Sequence, residues 1–262
     1  MRLGLLIVAL LGLSWFQVGQ NSSAAALAQR TWDIADSRPP RSILILGNSR
    51  TFTNDMPAML RKIADSAKGT TKFQIESNTK PGYRLEDHWS DRRSRSLLVE
   101  TWDVVLIQAE SGSQASIEES ESFKTFGIKL TGVAKVSHGQ PTLIVNWPYD
   151  PSMFAGAQGY KRDEHLAFLR NINADLAAEA HLDRINLAGV WEAVRVSHPE
   201  ITLTTDGNHP SVAGTYLYAL ATYRGLTGQS VGAITYVPQG LGADEAAVLR
   251  QAVDECPTLA GT

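Results

Sequence analysis

Residues 42–49 read Ser42-Ile43-Leu44-Ile45-Leu46-Gly47-Asn48-Ser49, a short apolar, partly β-branched run that stops at a glycine. Unbroken apolar runs of this length, without polar alternation, suit a strand buried on both faces. Such strands belong to parallel sheets flanked by helices. The same signature returns at Asp103-Val-Val-Leu-Ile107 and Pro141-Thr-Leu-Ile-Val145, with weaker counterparts at Phe73-Gln-Ile75 and Arg184-Ile-Asn-Leu187. Between them the apolar period changes to that of a helix. Met56 to Lys68 places Met59, Leu60 and Ile63 on one side and stops at Gly69. Phe123 to Ser137, Tyr160 to Ala180, Ser211 to Leu226 and Asp244 to Val253 are expected helices, and Glu110 to Ser122 is expected as a loop. Strands alternating with helices predict a three-layer α/β/α domain on a mostly parallel sheet of about five strands. No internal repeat or long linker divides residues 42–262, so one domain is expected there.

Composition agrees. Of 262 residues, 43% are hydrophobic and 19% charged, an ordinary globular balance. Lys and Arg total 24 against 27 Asp and Glu, so no basic excess points to nucleic acid. The single cysteine, Cys256, can neither close an intrachain disulfide nor supply a thiolate cluster. His88, His138, His165, His181 and His198 are scattered without H-x-x-x-H spacing, which suits surface or core positions better than a metal site.

The chemistry is sought where strands end, because an open parallel sheet binds ligands beyond their carboxyl ends. Gly47-Asn48-Ser49 follows the first strand, and Asn78 and Gly82 the second. Gln108, Glu110 and Ser111 follow the third, and Asn146 and Trp147 the fourth. Turn residues are needed at strand ends in any case, so each cluster alone says little. Asp206-Gly207-Asn208-His209-Pro210 is more specific. An Asp three residues before a His on a turn can hold the imidazole Nδ1–H, fixing its tautomer. Pro210 suits the start of the helix that follows. With Ser49, this makes a triad in the order Ser…Asp…His.

These blocks resemble the SGNH (GDSL-like) hydrolases. Ile43-Leu-Ile-Leu-Gly-Asn-Ser49 is similar to their first block, with Ser49 in the nucleophile position. Asp206-Gly-Asn-His209-Pro is similar to their last, which supplies Asp and His. The resemblance implies a flavodoxin-like sheet, ester hydrolysis through an acyl-enzyme, and no cofactor or metal. It also implies an oxyanion hole from the Ser49 and Gly82 N–H groups. The family's third block usually brings an asparagine, where this chain has Gln108-Ala-Glu110-Ser111. Gln108 is the expected replacement donor. Asn48, Glu110, Asn146 and Trp147 are weaker candidates for substrate contact. Trp147 and Tyr149 have two open readings, a sugar-stacking wall at the rim or buried packing.

The substrate class implied is a small-molecule or carbohydrate ester, with O-acetyl carbohydrate as the specific expectation. The rival is a non-catalytic carbohydrate- or envelope-binding protein on the same fold, suggested by the altered third block. No G-x-S-x-G, G-x-G-x-x-G or P-loop motif occurs, which removes the sequence case for an α/β-hydrolase elbow or a nucleotide site. The Arg84, Arg92, Arg93, Arg95 group is expected on a solvated helix face.

The first residues have another purpose. Arg2, the apolar run Leu3 to Leu13 and Ala26-Leu27-Ala28 have the order of a secretory signal peptide, residues 1–28, cut near Ala28. The run falls short of the roughly 20 apolar residues of a spanning helix, so no membrane anchor is expected after cleavage. Residues 29–41, with Pro39-Pro40, are expected as an extended leader, and the mature protein as secreted or periplasmic.

Overall fold

The computed structural model describes residues 37–262 apart from 68, 70, 110–116, 155–160, 258 and 262. The expected signal peptide and most of the leader therefore lie outside the described residues.

In chain order the elements are β1 (Pro40–Gly47), α1 (Ser49–Phe52), α2 (Met56–Ser66), β2 (Lys72–Thr79), α3 (Leu85–Ser90), α4 (Arg92–Leu98), β3 (Val104–Gln108), α5 (Ile117–Val136), β4 (Gln140–Ile144), α6 (Arg162–Ala180), β5 (Asp183–Ile185), α7 (Leu187–Ser197), α8 (Val212–Thr227), α9 (Ala243–Glu255) and β6 (Ala260–Gly261). Short 3-10 turns cover Thr53–Asp55 and Pro151–Phe154. The sheet runs β2-β1-β3-β4-β5-β6. β1 to β5 pair in parallel. The two-residue β6 adds an antiparallel edge beside β5. The order 2-1-3-4-5 is flavodoxin-like, and it places a switch point between β1 and β3.

Period-two alternation builds both faces. Ile43 and Ile45 point to the core shared with α2, α7, α8 and α9, while Leu44 and Leu46 point to the one shared with α3 to α6. All four are fully buried, which is why the run is apolar throughout. α8 is the most enclosed helix of the described residues: every residue from Ala213 to Tyr223 is buried. Its apolar surface runs all round because it packs against α2, α7 and α9 as well as β5.

Several boundaries differ from the sequence expectation. β1 begins at Pro40, pairing Pro40 and Arg41 with Lys72 and Phe73. β2 extends to Thr79 despite its polar second half, because backbone pairing with β1 continues to Gly47. The fifth strand stops at Ile185, and Leu187 opens α7, capped by the Asn186 side chain on the Gly189 N–H. That helix was absent from the expectation. α5 begins at Ile117, inside the segment expected as loop.

Arg84 and Arg93 pair with Glu119 and Glu76 in half-exposed ion pairs, in keeping with a solvated face. Among the described residues no helix is long and apolar enough to cross a membrane.

Candidate active site

β1 delivers Ser49 to the carboxyl edge of the sheet beside the switch point. The turn after the strand is tight. A Cβ on Gly47 would lie 2.7 Å from Thr51 Oγ1 and 2.9 Å from Gln108 Oε1, so only glycine fits. Asn48 is the N-cap of α1: its Oδ1 accepts the Arg50 N–H at 3.2 Å, and its carbonyl accepts the Thr51 and Phe52 N–H groups. The Asn48 amide donates to the Tyr83 carbonyl at 3.2 Å, tying this turn to the one after β2.

That second turn carries Gly82. Tyr83 N–H returns to the Lys80 carbonyl at 3.2 Å, with Pro81 and Gly82 between them. Gly82 has φ +67°, which glycine adopts without cost, and a Cβ there would point into open space. Ser49, Phe52, Pro81, Gly82, Asp206 and His209 line an open cleft of about 620 Å³.

The opposite wall is the loop before α8. Thr205 N–H bonds the His209 carbonyl at 2.9 Å, closing the loop on itself. Asp206 Oδ1 accepts the backbone N–H of Asn208 at 2.9 Å and of His209 at 2.7 Å. Its Oδ2 meets His209 Nδ1 at 2.7 Å. His209 Nε2 lies 3.0 Å from Ser49 Oγ. Partial desolvation favours the neutral Asp206 carboxyl. The hydrogen bonds from the His209 ring and from the two backbone groups outweigh it and hold the carboxyl at about 2. The three residues named from the sequence thus meet in one hydrogen-bonded chain.

The third block is different from expectation. Gln108 is fully buried and does not line the cleft. Its Nε2 donates to the Ala109 carbonyl at 2.6 Å. Its Oε1 accepts the Asn48 N–H at 3.0 Å and the Thr51 hydroxyl at 2.8 Å. The side chain is engaged beneath the Ser49 turn, not beside it. Asn146 is also buried, its Nδ2 on the Ala109 carbonyl at 2.6 Å. Trp147 is fully enclosed and stacks on Trp191 with centroids 3.9 Å apart and planes 4° apart. Of the two readings of Trp147, buried packing is the one observed. Glu110 lies outside the described residues.

Other residues near the site had no sequence signal. His88 is fully buried, with Nε2 3.1 Å from the Gly47 carbonyl and Nδ1 2.8 Å from Ser94 Oγ. Burial pushes its ring down to about 4, against the Gly47 bond that favours the charged form. Arg50 donates from Nε to Asn208 Oδ1 at 2.8 Å and from Nη1 to the Trp147 carbonyl at 2.6 Å. Asn54 holds the Pro210 carbonyl at 3.0 Å. A lone His or Arg in a sequence gives no hint that it is buried; only the Asn208 partner sits inside a motif that could have been singled out.

No protein-family model matches this chain, and no curated protein does. Solved structures do. A protein from Slackia heliotrinireducens assigned as an SGNH hydrolase is 26% identical, with TM-score 0.59 over 71% of this chain and 98% of the other. A DUF4886 family protein from Bacteroides uniformis superposes with TM-score 0.69 at 16% identity, over 82% of this chain and 94% of the other. An acetyl xylan esterase from Geobacillus stearothermophilus gives TM-score 0.55 at 15% identity, over 76% and 97%. The fold is that of the SGNH hydrolases, a fold used by ester hydrolases.

Proposed function

We propose that this chain is a serine ester hydrolase of the SGNH type, exported from the cell, acting on short acyl esters of a carbohydrate or small alcohol. The observation that carries the reading is the continuous contact Ser49 Oγ to His209 Nε2 (3.0 Å) and His209 Nδ1 to Asp206 Oδ2 (2.7 Å). It lies at the carboxyl edge of the sheet, where this architecture binds ligands.

In this mechanism Ser49 Oγ attacks the ester carbonyl carbon while its proton passes to His209 Nε2. The resulting oxyanion faces the Ser49 and Gly82 backbone N–H groups. The tetrahedral adduct collapses, the ester C–O bond breaks, and the Nε2 proton leaves with the alcohol. Water then repeats the sequence on the acyl-enzyme, giving up a proton to His209 and releasing the acid and free Ser49. Asp206, a carboxylate across the working pH range, holds the ring in one tautomer and stabilises it when charged. Gln108 supports the hole from below by fixing the Asn48 N–H.

An O-acetyl carbohydrate is the favoured substrate. Two structural neighbours are acetyl xylan esterases, and the cleft is open, with both apolar and polar side chains on its walls. Export is supported by Arg2, the apolar run and Ala26-Leu27-Ala28. A panel of aryl esters of graded chain length, with fluorophosphonate labelling of Ser49, tests the activity. An unlabelled, inactive wild type whose Ser49 region is folded overturns it. Intact mass of the protein recovered from periplasm or medium tests export, the expected chain beginning at Gln29.

A further inference from the structure

We infer that Arg50 is a positioning residue that sets the approach of His209 to Ser49, an inference resting on the triad reading of this site. Ser49 and His209 belong to segments 160 positions apart, and each has a neighbour in the chain, Arg50 and Asn208. Those neighbours bond to each other as well, Arg50 Nε to Asn208 Oδ1 at 2.8 Å. The nucleophile–base contact is therefore duplicated alongside by a charge-assisted bond between the adjacent residues.

The rest of the Arg50 side chain is fixed so that this bond has little play. Nη1 donates to the Trp147 carbonyl at 2.6 Å. The guanidinium carbon lies 4.5 Å from the Trp147 ring centroid and 4.9 Å from that of Tyr149. Trp147 also reaches the loop directly, its Nε1 donating to the Asn208 carbonyl at 3.1 Å. Trp147 is fully buried in turn, stacked on Trp191 of α7. The loop is thus gripped at its Asn208 side chain and carbonyl by groups that answer to β4 and α7. Arg50 borders the cleft but is only 2% exposed, so it offers little surface to a substrate. Burying a guanidinium is costly unless its bonds are made, and an apolar side chain of similar volume generally costs less at such a place. What arginine supplies here is geometry: a planar fork that donates in two directions while stacking on rings. Lysine has no such fork.

A misplacement of about 1 Å in a reacting pair costs up to roughly 10²-fold in rate. The experiment compares wild type with Arg50→Lys, Asn208→Ala, Asn208→Asp and the double variant Arg50→Lys/Asn208→Ala, each checked for folding by thermal melting. The readouts are kcat and KM on an aryl acetate, and the low-field proton resonance of the His209 Nδ1–H in substrate-free protein. Arg50→Lys and Asn208→Ala are expected to lower kcat about tenfold to 10²-fold with KM nearly unchanged, and to broaden that resonance. The double variant should be no worse than the more damaged single, because both remove one bond. Asn208→Asp keeps an acceptor for Arg50 and should retain most of the rate. A folded Arg50→Lys with wild-type kcat and an unchanged resonance overturns the inference, as does additivity of the two singles. If wild type hydrolyses no ester, the functional reading fails by itself. The resonance then decides on Arg50 alone: broadening in Arg50→Lys upholds the clamp, and no change overturns it.

Discussion

Asp206 grips His209 at two places at once: Oδ2 faces the ring Nδ1 at 2.7 Å while Oδ1 accepts the backbone N–H of the same residue at 2.7 Å. One carboxylate therefore fixes both the imidazole and the peptide from which it hangs. The backbone bonds shape the loop, and the ring bond sets the tautomer.

Asp206→Asn separates those tasks. An amide oxygen can still accept the Asn208 and His209 N–H groups, so the melting temperature should change little. The amide nitrogen then faces Nδ1 with a donor, favouring the wrong tautomer. In a serine protease the equivalent change costs about 10⁴ in kcat, which sets the scale expected here. Adding Ser49→Ala to His209→Ala should cost almost nothing further, since the triad acts as a unit. Steady-state rates of these three variants decide the matter, and near-wild-type turnover by Asp206→Asn would remove it from the triad.

Gln108→Ala discriminates a supporting role from an oxyanion donor. A donor in the hole is worth about 10²–10³ in kcat. Beneath the turn, loss of the side chain leaves the buried Asn48 N–H without its acceptor, at about 1–3 kcal/mol, while the Thr51 hydroxyl keeps the Tyr218 hydroxyl 3.3 Å away. The expected outcome is a melting temperature lowered by several degrees and a fall in kcat well below 10²-fold. A fall of that size or more at unchanged stability would return Gln108 to the hole.

Acid stability should carry the mark of His88. Its ring takes a proton near 6.5 when unfolded but only at about 4 in the buried site. Between those values the unfolded chain binds the extra proton, so stability declines as pH falls through this window, by about 3 kcal/mol when complete. Below it, Asp91 and Asp206, both held at about 2, add a further loss as they protonate. Urea melts at pH 7, 5.5 and 4 measure the decline; His88→Gln should flatten its upper part. An equally steep upper limb in His88→Gln would assign it to other groups.

Phe52 should influence which esters are preferred. It is 39% exposed, one helical turn beyond Ser49, and lines the cleft. An apolar contact of this kind is worth about 1–3 kcal/mol between substrates differing by a methylene or so. Phe52→Ala is expected to lower kcat/KM for butyryl esters relative to acetyl esters by about tenfold. An unaltered ratio would show that the acyl group lies elsewhere.

What was legible in the sequence follows from how local each signal is. The runs at Ile43 and Val104 announce themselves because burial on both faces admits only apolar side chains, and D-G-N-H is compact enough to be seen whole. α7 has no separate signal because Leu187 reads as the end of the fifth strand; the Asn186 cap that divides Ile185 from the helix is a single residue. Gln108 was given the wrong direction because side-chain orientation at a strand end depends on the neighbouring turn, here on Asn48 and Thr51. Trp147 stayed ambiguous because its partner, Trp191, is distant in sequence.

Ser49 lies near the start of the described residues, and His209, its proposed base, comes only with residues 206–209, just ahead of the most enclosed helix of the described residues. A growing polypeptide that has not yet delivered that last portion has a hydroxyl with nothing to activate it. It also lacks Tyr216, Leu217 and Leu220, which complete one face of the core. In the proposed mechanism, ester hydrolysis therefore cannot begin until residues 206–209 have been synthesised and packed, so the order of synthesis itself sets when the site is complete.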